Sequence, residues 1–322
     1  MSGSLPPAAD TDPSRDATQH WSRAHERGSL VALRSMAWVA VTFGRRVARA
    51  ILHPIALYFV LCAPAARRRS ARYLGRALNR PARWRDVYRH VHTFAATVLD
   101  RVYFARCQFE AFDIDIVGAA CIDDAAARGR GAVLLGAHLG SFEALHALAS
   151  TRPGLRVAMV MYPDNARKIQ GVLQAIAPDL RLDIIAIGRA GSTLAIRDWL
   201  DSGGIAGMLG DRFLGADAQR GGIVRLPFLG RDASFSDGPL RLAMLLRRRV
   251  VFMVGLYLGG NRYQLRFEPL ADFSASANGA QDGAHRLQAA LRAYVARLES
   301  LCREQPYNWF NFHDFWDEDA AV

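Results

Sequence analysis

From Phe112 onward, short apolar runs alternate with stretches whose apolar residues recur at helical spacing. The runs of strand length are Phe112–Val117, Ala132–Ala137, Leu155–Met161, Leu182–Ile187, Ile205–Leu209 and Val250–Tyr257. The helical stretches are Cys121–Arg128, Ser141–Ser150, Asn165–Ala177, Ser192–Asp201 and Phe235–Arg247. This alternation predicts an α/β fold with a mostly parallel sheet flanked by helices. Asn261–Pro269 is expected to add an edge strand, and Gly283–Arg303 a long amphipathic helix.

The chain before this alternation has a different pattern. Residues 1–19 are rich in Pro, Ala, Asp and Ser, which predicts a disordered tail, and the start lacks the features of a signal peptide. Residues 20–108 are predicted to form a helical, membrane-associating region, and residues 109–322 the α/β core.

Within the helical region, two apolar pieces, Leu30–Phe43 and Ala50–Ala63, flank the basic break GRRVAR. Each piece is shorter than the roughly 20 apolar residues of a standard membrane span. Apolar helices flanked by arginines are typical of proteins that lie in the membrane interface. Two ordinary core helices, or one tilted span, also fit this pattern.

The stretch Gly131–Ser150 places a base-capable side chain and a carboxylate around a tight turn. His138 follows the predicted strand, Glu143 lies in the first turn of the predicted helix, and Ser141 is its expected N-cap. Open α/β sheets carry their chemistry at the carboxyl ends of the strands. A carboxylate that accepts from one imidazole nitrogen leaves the other free as a general base. We therefore expect Glu143 to orient a catalytic His138, the alternative being a structural histidine.

Further candidate residues follow other strands. Asp211 and Arg212 come after Ile205–Leu209, and a guanidinium can hold a phosphate or an oxyanion, unless the two residues only close a loop as a pair. Leu226–Phe228 offers an apolar wall suited to an acyl chain, or an ordinary loop with a core aromatic. The aromatic residues of the tail lie at a bilayer interface or, as we favour, pack over the sheet: Trp309, Phe310, Phe312, Phe315 and Trp316.

The net charge of the chain indicates which classes of partner it binds. The net charge is +11 and Lys168 is the only lysine, so the excess of arginine favours anionic partners such as lipid headgroups or an acidic carrier protein. No nucleic-acid-binding motif is present, and we expect no nucleic-acid partner. The four scattered cysteines predict reduced thiols, and the absence of ligand spacings and of Walker or dinucleotide motifs predicts neither a metal nor a cofactor.

Four blocks of the chain resemble one family. The His-x4-Glu block resembles the signature of the lysophospholipid acyltransferase superfamily, in particular the bacterial late lipid A acyltransferases. Further blocks are similar to motifs of that family and stand in family order: MLGDRF at Met208–Phe213, GIVRLPFLG at Gly222–Gly230 and QPYNWFNFHDFW at Gln305–Trp316. The opening His20–Ser29 and GAHLGSFE look like the predicted acyltransferases associated with aryl polyene clusters. Met161–Asn165 differs from the Tyr-Arg-Pro-like run of the lipid A enzymes, which leaves the acceptor open.

The resemblance implies an acyltransferase at the cytoplasmic face of the inner membrane. It implies an acyl carrier protein thioester, or acyl-CoA, as donor and a hydroxyl of a membrane lipid or glycolipid as acceptor. His138 and Glu143 would form the catalytic dyad, and substrate-binding roles would fall to Asp211, Arg212, Ser141, Phe228 and Gly230. The alternative is a non-catalytic, membrane-bound docking protein for acyl carrier protein with the same fold.

Overall fold

The computed structural model describes residues 13–127, 129–145, 152, 154–163, 166–167, 170–171, 183–212, 222–277 and 279–316, with backbone only for residues 13–34 and 125–127. The helices are α1 (Pro13–Cys62), α2 (Pro64–Ala77), α3 (Trp84–Ala105), α4 (Ala120–Ala127), α5 (Ser192–Asp201), α6 (Gly238–Leu245) and α7 (Ala280–Glu304). The strands are β1 (Asp113–Val117), β2 (Ala132–Gly136), β3 (Val157–Met161), β4 (Asp183–Ala186), β5 (Ile205–Leu209), β6 (Ile223–Phe228), β7 (Arg231–Ser236), β8 (Arg249–Gly259) and β9 (Arg262–Asp272). Short 3₁₀ turns occupy Phe109–Ala111 and Phe142–Ala144.

A seven-stranded sheet forms the centre of the molecule, in the order β1-β9-β8-β2-β5-β3-β4. β8, β2, β5, β3 and β4 run parallel to one another, while β9 pairs antiparallel with β8 and carries β1 alongside it. The predicted mostly parallel α/β fold is therefore confirmed. The prediction of an edge strand at Asn261–Pro269 is wrong, because β9 is covered on its outer side by β1. The alternating polar residues of β9 imitate the pattern of an edge.

A separate hairpin, β6–β7, was not predicted. Its turn is made by Leu229 and Gly230, which both have positive φ angles, of 51° and 80°. Two such residues in succession are typical of the tight turns that join antiparallel strands. Because Phe235 and Ser236 pair within this hairpin, α6 begins at Gly238, later than the predicted helix.

The sheet is covered by helices on both faces. Successive side chains of a strand point to opposite faces, and on β2 Leu134 joins a core with Leu99 and Phe104 of α3. Its neighbours Val133 and Leu135 join a second core with Tyr294 and other residues of α7. Each face of β2 is thus sealed and all five of its residues are buried, so His138, which follows its carboxyl end, is the first residue beyond the strand that reaches solvent.

The N-terminal helix is bent and attached to the core by a buried ion pair. α1 begins at Pro13, inside the predicted tail, and kinks at Gly44 (φ 81°). Next to the kink, Arg45 donates two hydrogen bonds of 2.7 and 2.8 Å to the buried carboxylate of Asp100, which also accepts from the Tyr263 hydroxyl. In the described part of the chain no single helix has the length and hydropathy of a membrane span. Ser35–Cys62 and Pro64–Ala77, which meet at 96°, pass that test only as a pair.

Candidate active site

His138 lies in a turn that follows β2 and is pressed against β8. Gly140 has a φ of 74°, and a Cβ at this position would overlap the carbonyl oxygen of Gly255. The Ser141 N–H donates to that same carbonyl at 2.7 Å. Only glycine allows this close approach of two backbones, so the sequence His138–Ser141 fixes the turn at the carboxyl edge of the sheet.

The C-terminal segment, residues 305–316, holds the turn from its other side. The Phe310 N–H donates to the His138 carbonyl at 2.9 Å, and the Gly140 N–H donates to the Asn308 carbonyl at 2.8 Å. Leu139 and Trp309 form an antiparallel bridge between these two bonds. The backbone of His138 is therefore restrained by two separate parts of the chain. The favoured prediction for the tail aromatics is confirmed for Trp309, Phe310 and Trp316, which are buried.

The carboxylate of Asp211 contacts both the ring and the backbone of His138. Its Oδ1 lies 2.9 Å from His138 Nδ1, and its Oδ2 accepts from the His138 N–H at 3.0 Å. The Trp309 indole N–H donates to Oδ2 at 2.9 Å. Asp211 is 2% exposed, whereas the His138 side chain is 35% exposed. The imidazole thus reaches solvent while its acidic partner does not.

The surroundings of Asp211 favour its ionised form. Burial raises the pKa of this carboxyl, but the His138 ring, the Trp309 indole and the charge of Arg212 outweigh that effect and hold the pKa well below its usual range. An ionised carboxylate only accepts hydrogen bonds, so Nδ1 of His138 carries the proton. Nε2 is then the basic nitrogen of the neutral ring.

The expected contact between Glu143 and the His138 ring requires correction. The Glu143 carboxylate accepts from the Ser141 hydroxyl at 3.0 Å and forms an ion pair with Arg101 of α3, also at 3.0 Å. Among the contacts of the described residues, none joins Glu143 to the imidazole. The 3₁₀ turn Phe142–Ala144 packs against α3, which directs Glu143 toward Arg101. Ser141 is the N-cap of this turn by position, but its side chain makes no capping bond. The predicted helix beyond Leu145 lies outside the described residues.

A cleft of about 950 Å³ opens in front of His138. The charged residues of its lining, within the described part of the chain, are Arg101, Glu143, Arg189 and Arg212. Its apolar lining includes Phe142, Met159, Met161, Ile196, Met208 and Leu242. A cleft that combines an apolar wall with a few convergent polar groups is typical of a site for a small molecule or a lipid.

The arginines of the cleft differ in how they are held. Arg212 donates to the Phe310 carbonyl at 2.9 Å; burial lowers the pKa of its guanidinium, and the charge of Asp211 offsets part of this effect. Arg101 pairs with Glu143. The exposed side chain of Arg189, by contrast, makes no hydrogen bond or ion pair with any residue that the structure describes.

A family model of bacterial lipid A biosynthesis acyltransferases matches residues 32–318. The chain belongs to this family. A comparison with individually curated proteins finds no significant match. Membership makes the protein an O-acyltransferase of lipid biosynthesis, with an acyl donor and a lipid acceptor. The resemblance to late acyltransferases is thereby confirmed.

Of the five residues predicted to bind substrate in this acyltransferase, Arg212 lines the cleft, while Asp211 and Ser141 are buried. The other two, Phe228 and Gly230, lie elsewhere. Phe228 is fully buried at the end of β6 and packs against Phe235 and Trp309 at ring-centroid distances of 5.4 and 5.3 Å. Gly230 forms the turn of the hairpin. Neither residue lines the cleft, because the hairpin packs under the C-terminal segment. The alternative reading of Phe228 as a core aromatic describes its position.

Sequence reasoning missed Arg101, Arg189 and the donor role of Trp309. Arg101 lies on a helix that is distant in sequence from His138, and Arg189 follows β4. Asp211 was recognised as a candidate but not as the partner of His138. Its position after β5 contained the necessary signal, since β5 is the parallel neighbour of β2 and adjacent parallel strands end at the same edge.

Proposed function

We propose that this acyltransferase moves an acyl group from an acyl carrier protein thioester to a hydroxyl of a membrane lipid or glycolipid, at the cytoplasmic face of the inner membrane. The observation that carries this proposal is His138, a partly exposed imidazole with a buried carboxylate behind it, at the mouth of a largely apolar cleft.

His138 acts as general base in this proposal. Its Nε2 removes the proton of the acceptor hydroxyl as the oxygen attacks the thioester carbonyl. The tetrahedral intermediate then expels the thiolate, which takes the proton back from the imidazolium. Ester and thiol are the products, and the enzyme returns unchanged. No acyl-enzyme is needed, because the thioester is already activated.

Arginine side chains of the cleft stabilise negative charge during the reaction. Arg212 lies beside Asp211, and its guanidinium can donate to the oxyanion or to a phosphate. The Arg189 side chain makes no hydrogen bond or ion pair with any described residue of the cleft. We assign it to the binding of an anionic group on the acyl donor or on the lipid acceptor. Such a group is a phosphate in both a phosphopantetheine thioester and a phosphorylated lipid.

A second groove supports a protein donor over free acyl-CoA. It has a volume of about 960 Å³ and shares Gly238 and Leu242 of α6 with the catalytic cleft. Arg241, Arg247 and Arg286 lie along it. Among the described residues of its lining, Asp237 is the one carboxylate, and it pairs with Arg241. An acidic carrier protein that docks here would bring its prosthetic group to the cleft from one side.

The outward face of α1 supports attachment to a membrane. Its large apolar residues are exposed: Trp38, Val41, Phe43, Val47, Ile51, Leu57, Tyr58, Phe59 and Leu61. Arg46, which lies within this stretch, and Arg68, which follows it in α2, are also exposed. Apolar side chains inserted at the acyl boundary, with guanidinium groups among lipid phosphates, are the components of an interfacial anchor.

The donor is tested with purified protein, lipid vesicles and labelled acyl groups on either acyl carrier protein or CoA. We expect label in lipid from the carrier protein. Arg247→Asp should raise the KM for the carrier-protein donor about tenfold and leave the reaction with acyl-CoA unchanged, since charge reversal opposes an acidic partner. Asp is chosen because Arg247 has a φ of 54°, which Asp tolerates.

Equal effects of Arg247→Asp on both donors would contradict the docking groove. Binding of the carrier protein without any transfer from either donor would favour the docking-protein alternative. The lipid that carries the label is the acceptor, and an aryl polyene lipid would be detected in the same way.

A further inference from the structure

We propose that Asp211, held in place by Trp309, is the residue that positions His138 for catalysis, so that the C-terminal segment forms part of the active site. The inference rests on the proposed function, in which His138 is the base. It replaces Glu143 as the orienting carboxylate and gives the tail aromatic a role beyond packing.

Two of the three hydrogen-bond contacts that the described residues make with the Asp211 carboxylate join it to His138. Oδ1 contacts the ring at Nδ1, and Oδ2 accepts from the backbone N–H of the same residue. A carboxylate that binds ring and backbone together restrains the side-chain torsions as well as the tautomer. Nε2 is thereby directed away from Asp211, toward the cleft.

Trp309 limits the freedom of Asp211. Its indole N–H donates to Oδ2 at 2.9 Å, and the indole is 1% exposed. The ring packs edge-on against Tyr73, Phe228 and Phe315 at centroid distances of 4.9 to 5.3 Å. An indole that is packed on several sides cannot rotate away from its acceptor, so it fixes the carboxylate plane.

The backbone around Trp309 is restrained through its neighbour Asn308 and by α3. Its carbonyl is 2.9 Å from Nε2 of the buried His90. The side chain of Asn308 accepts from the Tyr257 N–H at 2.8 Å and donates to the Tyr257 carbonyl at 3.1 Å. The indole donor is therefore in place before any substrate arrives.

Glu143 lacks these properties. Its side chain is 22% exposed, and its two oxygens are used by Ser141 and Arg101. Arg212 and His313 are further charged or titratable groups near His138, and His313 interacts electrostatically with both His138 and Arg212. Among the described residues, Asp211 is the one whose carboxylate lies within hydrogen-bond distance of the imidazole.

Three variants separate the two carboxylates and the indole. Asp211→Asn keeps the shape of the side chain but presents an amide to Nδ1, which favours the wrong tautomer of His138. We expect kcat to fall by about 10³-fold, in line with losses in other histidine–carboxylate systems. Trp309→Phe removes only the N–H and should lower kcat about tenfold. Glu143→Gln should lower it by less than about tenfold. In the first two variants KM should stay within about twofold of wild type.

A matched control is available in the same segment. Trp316 is also a buried indole, and its N–H donates to the Phe228 carbonyl at 3.3 Å and not to Asp211. Trp316→Phe makes the same chemical change and should leave kcat within about twofold of wild type. Equal losses in Trp316→Phe and Trp309→Phe would show a purely structural effect and overturn the proposal.

The split between kcat and KM supplies a readout that a purely structural role would not produce. A loss of kcat at nearly unchanged KM in Asp211→Asn and Trp309→Phe, larger than that in Glu143→Gln, places the effect on the step that His138 carries out and not on substrate binding. The opposite pattern, with the larger loss of kcat in Glu143→Gln, would overturn the assignment.

The experiment distinguishes this inference from the function on which it rests. If wild type transfers the acyl group, His138→Ala does not, and Asp211→Asn keeps the full kcat, then only the assignment of Asp211 is overturned and the proposed function stands. A wild-type protein that transfers no acyl group from either donor overturns the proposed function and the assignment together. If Asp211→Asn fails to fold, the comparison of Trp309→Phe with Trp316→Phe decides.

Discussion

The two ends of the described chain are both rich in aromatic residues but use them in opposite ways. In the C-terminal segment, Trp309 is 1% exposed and contacts the acidic partner of His138. In α1, Trp38 is 60% exposed. The inward face of α1 is instead built mainly from small residues, with two larger aliphatic ones: Ala37, Ala40, Ala48, Leu52, Ala56 and Val60.

This difference shows that composition alone does not define the role of an aromatic cluster. Burying a large apolar side chain stabilises a fold by about 1.5–3 kcal/mol, and α1 forgoes this gain by facing the core with alanines. Such an arrangement is favourable where the outer face meets a second apolar phase. The C-terminal segment gains the full packing energy and uses it to fix hydrogen bonds at the site.

The largest effect that we expect comes from Trp309→Ala. The change removes the indole donor and leaves a cavity, so activity should be lost and the free energy of unfolding should fall by about 3–5 kcal/mol. Thermal and denaturant unfolding measure the second effect. Trp38→Ala is the matched control, because the exposed indole should contribute less than about 0.5 kcal/mol. Similar losses of unfolding free energy in both variants would contradict the difference between the buried Trp309 and the exposed Trp38.

The attachment of the C-terminal segment to α3 should depend on pH. Burial lowers the pKa of His90 to about 4, and in the unfolded chain the pKa returns to about 6.5. The unfolded state therefore binds this proton more readily, so stability is complete above pH 6.5 and falls as the pH drops toward 4. The loss from this group should be at most about 3 kcal/mol.

Denaturant unfolding between pH 7 and pH 4 measures this loss. In His90→Gln the number of protons taken up on unfolding should be lower by up to about one per molecule, so the free energy of unfolding should fall less as the pH drops. An identical pH dependence in wild type and variant would exclude His90 as the source.

The outward face of α1 is tested by replacing Trp38, Phe43 and Phe59 together with serine. Partitioning onto anionic vesicles should fall by about 100-fold, since about 1 kcal/mol is lost for each partly inserted side chain. Transfer to an acceptor dispersed in detergent should persist. Leu194→Ser, at an exposed leucine of α5, serves as control. Unchanged partitioning of the triple variant would contradict the anchor.

The fold was largely predictable because its strands are short apolar runs between helical stretches. The positions of the parallel strands and the candidate residues His138, Asp211 and Arg212 were all visible in the sequence. The pairing of His138 with Asp211 was not, since it depends on β5 lying beside β2, and local spacing does not determine strand order. Proximity in sequence favoured Glu143 instead, whereas the backbone contact between Gly140 and Gly255 fixes a turn that directs Glu143 toward Arg101.

The hairpin β6–β7 was missed for a different reason. Pro227 interrupts its first strand, and prolines usually argue against strands other than edges. In the molecule both strands of this two-stranded sheet are edges, so the proline is tolerated. Phe228 and Gly230 were assigned to the substrate site because the block resembles a family motif, and that resemblance does not show that the block forms a hairpin.

The most direct test of catalysis at His138 compares wild type with His138→Ala on the same vesicles. Acyl carrier protein with a labelled acyl group is supplied, and label in extracted lipid is measured together with protein folding and vesicle binding. We expect label with wild type only, while both proteins fold and bind vesicles equally. Transfer of label by His138→Ala at the wild-type rate would contradict it.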